Sequence, residues 1–174
     1  GGENGHGGGA IYATRHLEIT GGYFYANYAT QQIEGHGGAI YVNGSSDDVK
    51  VTNSLFIDNA TTKGNGGSIY CDNITGSVFE TNTFRENTSG TDGGAIYIQG
   101  NNFTINFEDN HSDNNGGAVY FAQPNDGTSP TFTMNYSMFK GNNAAGDNGG
   151  GALYIGTVNA KIDSCTFAGN FLDT

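Results

Sequence analysis

The chain has 174 residues with 30 glycines, two prolines and a formal net charge of −11. The glycines lack the every-third-residue spacing of collagen, the negative charge disfavours nucleic acid and anionic membrane surfaces as partners, and no apolar run is long enough for membrane insertion. The acidic, Asn-rich and Gly-rich composition is typical of a protein that works in the extracellular space or on the cell surface, and we expect that localisation.

Two short sequence phrases alternate along the whole chain. The first, Gly-Gly-small-aliphatic-Tyr, begins at Gly8, Gly37, Gly66, Gly93, Gly116 and Gly150. The second, Phe-x-x-Asn, begins at Phe24, Phe56, Phe84, Phe107, Phe139 and Phe167. Strict alternation of a fixed pair of phrases predicts a repeat architecture. The connectors vary in length while the strand-like segments do not, which favours a β-solenoid.

The copy that begins at residue 37 shows what one coil should contain. Gly37-Gly38 predicts a turn that needs positive φ or open space, and residues 39–42 alternate as a strand. Ile40 and Val42 should point inward, so Tyr41 should point outward. A polar loop follows, and residues 49–56 form a second predicted strand that ends near Phe56.

Two further positions repeat with the Phe-x-x-Asn phrase. The residue five before each Phe is apolar in five copies; the fourth has Asn102, and we expect Phe103 to fill that core position after a one-residue shift. The six Phe side chains should stack in the core. Each Asn should occupy a turn in the left-handed region and bond its amide to the backbone and to the next Asn.

These patterns predict an all-β fold, a parallel β-helix of about six coils that takes in residues 1–174 as a single segment. If the tail at 167–174 were joined to the head at 1–12, the two would make one ordinary connector between the phrases. The chain is therefore predicted to be one unit of a longer array or head-to-tail fibre. The alternative is a β-helix segment that simply starts and ends in mid-coil.

The two phrases resemble the GGA[ILV] and FxxN repeats of chlamydial polymorphic outer membrane proteins and of adhesin-like surface proteins that share them. Six copies of each phrase carry the resemblance over nearly the whole chain. It implies a right-handed parallel β-helix passenger displayed outside the cell, often adhesive, and it implies no catalytic residue. The regular Tyr after each GGA[ILV] goes beyond the motif.

The two cysteines, Cys71 and Cys165, fall on different phrases in the third and sixth coils. Three coils at ~4.8 Å separate them by roughly 14 Å, which exceeds the ~7 Å Cα limit of a disulfide. We expect two separate thiols, with pairing outside this segment as the alternative.

Acidic residues precede several Gly-Gly turns and make calcium the one candidate cofactor. They are Glu3, Glu34, Asp92, Asp113 and Asp147. Turns rich in carboxylate, amide and carbonyl oxygens suit calcium, although the spacing matches no EF-hand or nonapeptide calcium repeat. A solvated acidic turn without metal is the alternative.

Two other features predict surface sites. Asn-x-Ser/Thr acceptors for N-glycosylation occur at Asn43, Asn59, Asn73, Asn87, Asn102, Asn110 and Asn135. The tyrosines of the first phrase should form an outward aromatic ladder, made of Tyr12, Tyr41, Tyr70, Tyr97, Tyr120 and Tyr154. Such a ladder could stack on sugars or on a partner fibre; alternatively, the rings cover the sheet and each other.

Three functions follow from these patterns. We expect a non-enzymatic fibre or surface stalk whose partner is the chain itself, stacked head to tail through unpaired strand edges. The alternative is an adhesin passenger that binds a host protein or glycan. A third is a carbohydrate-active β-helix enzyme, for which loop carboxylates such as Asp58, Glu86 and Glu108 would be needed.

Overall fold

The computed structural model describes residues 7–30, 35–43, 48–72, 76–98, 103–123, 131–147, 149–156 and 159–173. These residues form strands, turns and irregular segments, and none of them is helical. The strands make three sheets in which each strand pairs in parallel with strands of the coils before and after it. The fold is therefore an all-β solenoid, as predicted, and the six strands stacked in its first sheet span five complete turns.

Sheet A carries the Gly-Gly phrase. In the described part of the chain its strands are Ile11–Ala13, Ile40–Asn43, Ile69–Asp72, Ile96–Ile98, Val119–Phe121 and Leu153–Ile155. Ile40 and Val42 are fully buried, which confirms the predicted inward face. Gly37 has a φ of 61°, and a Cβ on Gly38 would lie 2.0 Å from the Gly67 carbonyl oxygen of the next coil. The first glycine thus supplies the turn and the second allows two coils to approach closely.

Sheet B carries the second predicted strand and the Phe residues. Its strands in the described ranges are Leu17–Thr20, Tyr23–Tyr25, Asp48–Thr52, Leu55–Ile57, Gly76–Arg85, Phe103–Glu108, Thr131–Asn135, Met138–Lys140, Asn159–Asp163 and Thr166–Ala168. The six Phe rings stack along the axis with centroids 4.5–5.4 Å apart. The predicted phenylalanine stack is thereby confirmed, and its middle members are fully buried.

The fourth coil shows the predicted one-residue shift. Phe103 pairs with Phe79 on one side and with Met134 on the other, so its backbone takes the register position of these two core residues. The neighbouring coils have one more residue between this position and the Phe, and it turns the chain with positive φ, as at Thr81 and Tyr136. The fourth coil lacks this corner residue, so its strand runs on without the turn.

Sheet C is the narrowest, with two residues from each coil. Its strands among the described residues are Tyr28–Ala29, Ala60–Thr61, Thr88–Ser89, His111–Ser112, Asn143–Ala144 and Phe171–Leu172. Each strand follows the Asn of a Phe-x-x-Asn phrase and leads back towards the next Gly-Gly turn. The core lies between the three sheets and contains the inward aliphatic and phenylalanine side chains.

Both cysteines are free thiols, as predicted. Cys71 lies in sheet A and is fully buried, whereas Cys165 lies at a sheet B corner and is half-buried.

Candidate functional surface: the asparagine ladder and the tyrosine column

The Asn residues of the second phrase form one continuous hydrogen-bonded stack, which we call the asparagine ladder. Its members are Asn27, Asn59, Asn87, Asn110, Asn142 and Asn170. The side-chain Nδ2 of each member donates to Oδ1 of the next at 2.8–3.0 Å. The same Oδ1 also accepts the backbone N–H of the preceding member at 3.0–3.1 Å.

The second amide proton of each inner ladder member is also bonded. Asn87 Nδ2 donates to the Phe56 carbonyl oxygen of the preceding coil at 3.1 Å, and Asn110 Nδ2 donates to that of Phe84 at 3.0 Å. An inner Asn therefore makes four side-chain hydrogen bonds, which is what its amide can make in a buried site. The predicted bonds to the backbone and to the next Asn are confirmed.

The backbone conformation predicted for the ladder was wrong by one residue. The left-handed residue is the one before the Asn, namely Ala26, Asp58, Glu86 or Asp109, with φ of 53–56°. In the last two coils the same place is taken by Gly141 and Gly169. The turn thus precedes the Asn, which leaves the Asn amide pointing inward along the stack.

The first-phrase tyrosines form a second continuous stack, the tyrosine column, on the outer side of sheet A. Adjacent rings have centroids 4.7–5.3 Å apart and interplanar angles of 3–18°. His36 extends this packing, since its imidazole stacks on Tyr70 at 4.3 Å. Its Nδ1 accepts the backbone N–H of Asn65 at 2.9 Å.

The column is much less exposed than an outward ladder of free rings. Tyr12 at its start is 48% exposed, but Tyr41 is only 3% exposed, and the remaining four rings are half-buried. Burial raises the pKa of Tyr70 and of Tyr97 above the ordinary tyrosine value. The charge of Asp72 adds to the shift at Tyr70, and the neighbouring Tyr120 adds to the shift at Tyr97. The rings mainly cover the sheet and each other, which was the alternative interpretation of this pattern.

The comparisons with known proteins identify the repeat. The family model of the Chlamydia polymorphic membrane protein repeat matches residues 83–99 and 104–122. These two stretches are similar to that repeat. Each contains one ladder asparagine and one column tyrosine, so the matched unit runs from sheet B through sheet C to sheet A. No curated protein and no solved structure matches the chain.

The polymorphic membrane protein repeat and the solenoid fold together fit a surface protein of adhesin-like type, and the family implies association with the outer membrane or cell surface. In the part of the chain that the structure describes, no helix is both long and apolar enough to cross a membrane.

Among the described residues, the predicted calcium ligands do not form a cluster. Asp92 Oδ1 accepts the Asn115 backbone N–H at 3.1 Å and side-chain N–H groups of Asn115 and Asn114 at 3.0 and 2.8 Å. Burial raises the pKa of Asp92, and these N–H groups oppose that shift. The described residues contain no group of three His, Cys, Asp or Glu side chains placed to hold a metal.

The other predicted acidic ligands differ in position. Asp113 is exposed and faces His111, whose Nε2 lies 3.0 Å from its Oδ1. Asp147 is exposed in the sixth coil, and Glu3 and Glu34 lie outside the described residues. Asp92 acts as a polar cap for the coil that follows, and calcium binding by the acidic set stays a prediction.

The Asn-x-Ser/Thr acceptors fall into two groups. Asn59, Asn87 and Asn110 are fully buried ladder members with their amides bonded, so their assignment as glycosylation acceptors is not compatible with the folded chain. Asn43 is exposed at the end of its strand and Asn135 is half-buried. Asn73 and Asn102 lie outside the described residues.

The sequence phrases did not predict two strongly exposed tyrosines beside the phenylalanine stack. Tyr23 and Tyr25 flank Phe24 and are 65% and 57% exposed. The signal was present in the residues beside each Phe, because the first copy has Tyr on both sides where later copies have polar or aliphatic residues. These neighbours vary between copies, so the repeated phrases do not mark them.

Proposed function

We propose that this chain is a non-enzymatic extracellular or cell-surface repeat protein that forms a fibre or stalk by stacking solenoids end to end. The observation that carries the proposal is the face of the sixth coil. Phe167, Ile162 and Leu172 are 48%, 43% and 37% exposed there. Residues in the same columns one coil earlier, such as Phe139 and Met134, are buried. Another coil of the same kind would bury this face.

The asparagine ladder gives the two end faces complementary hydrogen-bonding groups. Asn170 Nδ2 donates to the Phe139 carbonyl oxygen, and its Oδ1 accepts from Asn142. In the inner coils, the backbone N–H and one Nδ2 N–H of each Asn donate to Oδ1 of the next Asn. The same two groups of Asn170 would therefore donate to the Oδ1 of a following Asn. Asn27, at the other end, presents that Oδ1. Head-to-tail contact would therefore extend the ladder with donors facing acceptors.

The sheets support the same direction of assembly. All three are parallel, so the outer edge of the last coil and the outer edge of the first coil can pair in parallel only when two copies point the same way. Unpaired strand edges template the addition of another strand. The non-enzymatic part of the proposal is supported by the adhesin type of the repeat family.

The proposal is tested by assembly of the purified chain. Sedimentation velocity over a range of concentrations should show growing species, and electron microscopy should show thin filaments with an axial repeat of roughly 29 Å, from six coils at ~4.8 Å. Phe167→Lys places a charge on the end face, in the column of buried Phe139, and should stop assembly. Tyr136→Lys is the matched control, since Tyr136 is 74% exposed but lies at a sheet B corner one coil away.

Discrete particles at every concentration, or equal assembly of Phe167→Lys and the wild type, would contradict end-to-end stacking. A second candidate, an adhesin that binds a partner through its side, would then remain. It is favoured by a separate observation, the exposed tyrosines of the first coil.

A further inference from the structure

The outer face of sheet B changes character along the solenoid. Its first two coils present a contiguous aromatic and aliphatic surface that continues onto sheet C, and we call it the tyrosine patch. It consists of Tyr23, Tyr25, Leu55 and Ile57 of sheet B and Tyr28 of sheet C. Tyr23 pairs with Leu55 and Tyr25 with Ile57 across the coil boundary. The intervening Phe24 and Phe56 point into the core, so the patch side chains point away from it.

The fold itself does not require apolar residues at these positions. The third coil has Thr83 and Arg85 in the same two columns, and the fourth has Asn106 and Glu108. The tyrosine rings also remain accessible to solvent, since Tyr23, Tyr25 and Tyr28 are 65%, 57% and 51% exposed. Contiguous exposed apolar surface of this kind marks an interaction site.

The geometry of the patch combines ring faces with hydrogen-bonding groups. The rings of Tyr23 and Tyr25 lie nearly parallel, with an interplanar angle of 10° and centroids 6.2 Å apart. The Tyr28 hydroxyl donates to Asp58 Oδ2 at 3.3 Å, which places a carboxylate at one edge. At the other edge, Arg85 Nε lies 3.3 Å from Glu86 Oε1.

From this arrangement we propose that the tyrosine patch binds a neutral saccharide chain. The C–H faces of sugar rings pack on aromatic rings, while sugar hydroxyls can both donate to the Asp58 carboxylate and accept from tyrosine hydroxyls and Arg85. A polyanionic glycan is disfavoured by the net charge of −11. A protein partner or a second copy would need roughly 20–30 residues on each side, many more than the patch supplies.

This inference rests on the adhesin candidate and does not depend on end-to-end stacking. The test is native gel electrophoresis through gels that contain mannan, β-glucan, xyloglucan or hydroxyethylcellulose, with heparin as the anionic comparison. At least one neutral polysaccharide should retard the wild-type chain, and free oligosaccharide of the same type should compete. The double variant Tyr23→Ala/Tyr25→Ala should weaken binding about tenfold or more.

Tyr136→Ala is the matched control, because it removes another exposed tyrosine of sheet B far from the patch, and it should bind like the wild type. Circular dichroism checks that all variants are folded. Absence of retardation by every neutral polysaccharide, retardation by heparin alone, or equal binding of the double variant and the wild type would overturn the inference. The double variant should still assemble as the wild type does, so loss of sugar binding and loss of stacking are separate results.

Discussion

Replacing Asn87 by alanine tests whether the asparagine ladder stabilises the solenoid. Asn87 is fully buried, and its Oδ1 is the acceptor for the Asn59 backbone N–H and for Asn59 Nδ2, both at 3.0 Å. Its removal leaves two buried donors without that acceptor. An unsatisfied buried polar group costs about 1–3 kcal/mol, so we expect Asn87→Ala to lower the free energy of unfolding by about 2–5 kcal/mol.

Asn27→Ala is the matched control, since it removes the same side chain from the partly buried end of the same ladder. Asn59 Oδ1 would still accept the Asn27 backbone N–H at 3.1 Å, so the loss should stay near 1 kcal/mol. Urea unfolding followed by tyrosine fluorescence measures both variants, because the chain has ten tyrosines and no tryptophan. Equal destabilisation by the two substitutions would refute the role given to buried ladder bonds.

Asn87→Asp adds a pH test to the same position. The carboxylate would place an oxygen where Nδ2 now donates to the Phe56 carbonyl and to Asn110 Oδ1. Burial and these two oxygens should raise the folded-state pKa of the new carboxyl above its unfolded value. The stability of this variant should therefore be greatest at low pH and fall as the pH rises from the unfolded-state pKa to the folded-state pKa. A variant as stable as the wild type at neutral pH would contradict the argument.

Three further substitutions or titrations test other features. Gly94→Ala should unfold the chain or cost at least about 3 kcal/mol, because its Cβ would lie 2.0 Å from a carbonyl oxygen of the next coil; Gly21→Ala, with open space but a φ of 69°, should cost only about 1–2 kcal/mol. A thiol reagent should label half-buried Cys165 in the native state and leave Cys71 protected until unfolding, since burial raises the pKa of the Cys71 thiol; rapid native labelling of both would contradict the structure. Because the folded pKa of Tyr70 is raised, its stabilising contribution is complete below the unfolded value near 10 and is lost above it. Absorbance titration should therefore show late tyrosine ionisation that coincides with alkaline unfolding, and early ionisation of all tyrosines in the folded state would count against this.

The sequence predicted the features that repeat in identity. The Gly-Gly turns, the inward aliphatic positions and the phenylalanine stack all recur in each copy, because stacked coils place the same residue in the same environment. Even the irregular fourth coil was predictable, since apolar Phe103 directly follows Asn102 and takes the register position of Phe79 and Met134.

The features that the sequence did not reveal occur where residue type varies between copies. One example is a second inward polar position at the sheet B corner. Ser54 N donates to Asn82 Oδ1 at 2.9 Å, and Ile105 N donates to Ser137 Oγ at 3.0 Å. Gly, Ser, Asn, Ile and Cys all occur at this position, so no pattern marks it. The burial of Tyr41 was missed for a related reason: strand parity gives the direction of a side chain but not what covers it.

The asparagine ladder also carries a net dipole along the solenoid axis. All of its amide groups are oriented alike, with each Oδ1 towards the preceding coil and the N–H that bonds the next Asn towards the following coil. Aligned dipoles of this kind add rather than cancel. The first-coil end of the solenoid therefore has partial negative character from this column, and the sixth-coil end has partial positive character. A filament built from such units would have two chemically different tips, and a molecule that blocked one tip would leave growth at the other unchanged.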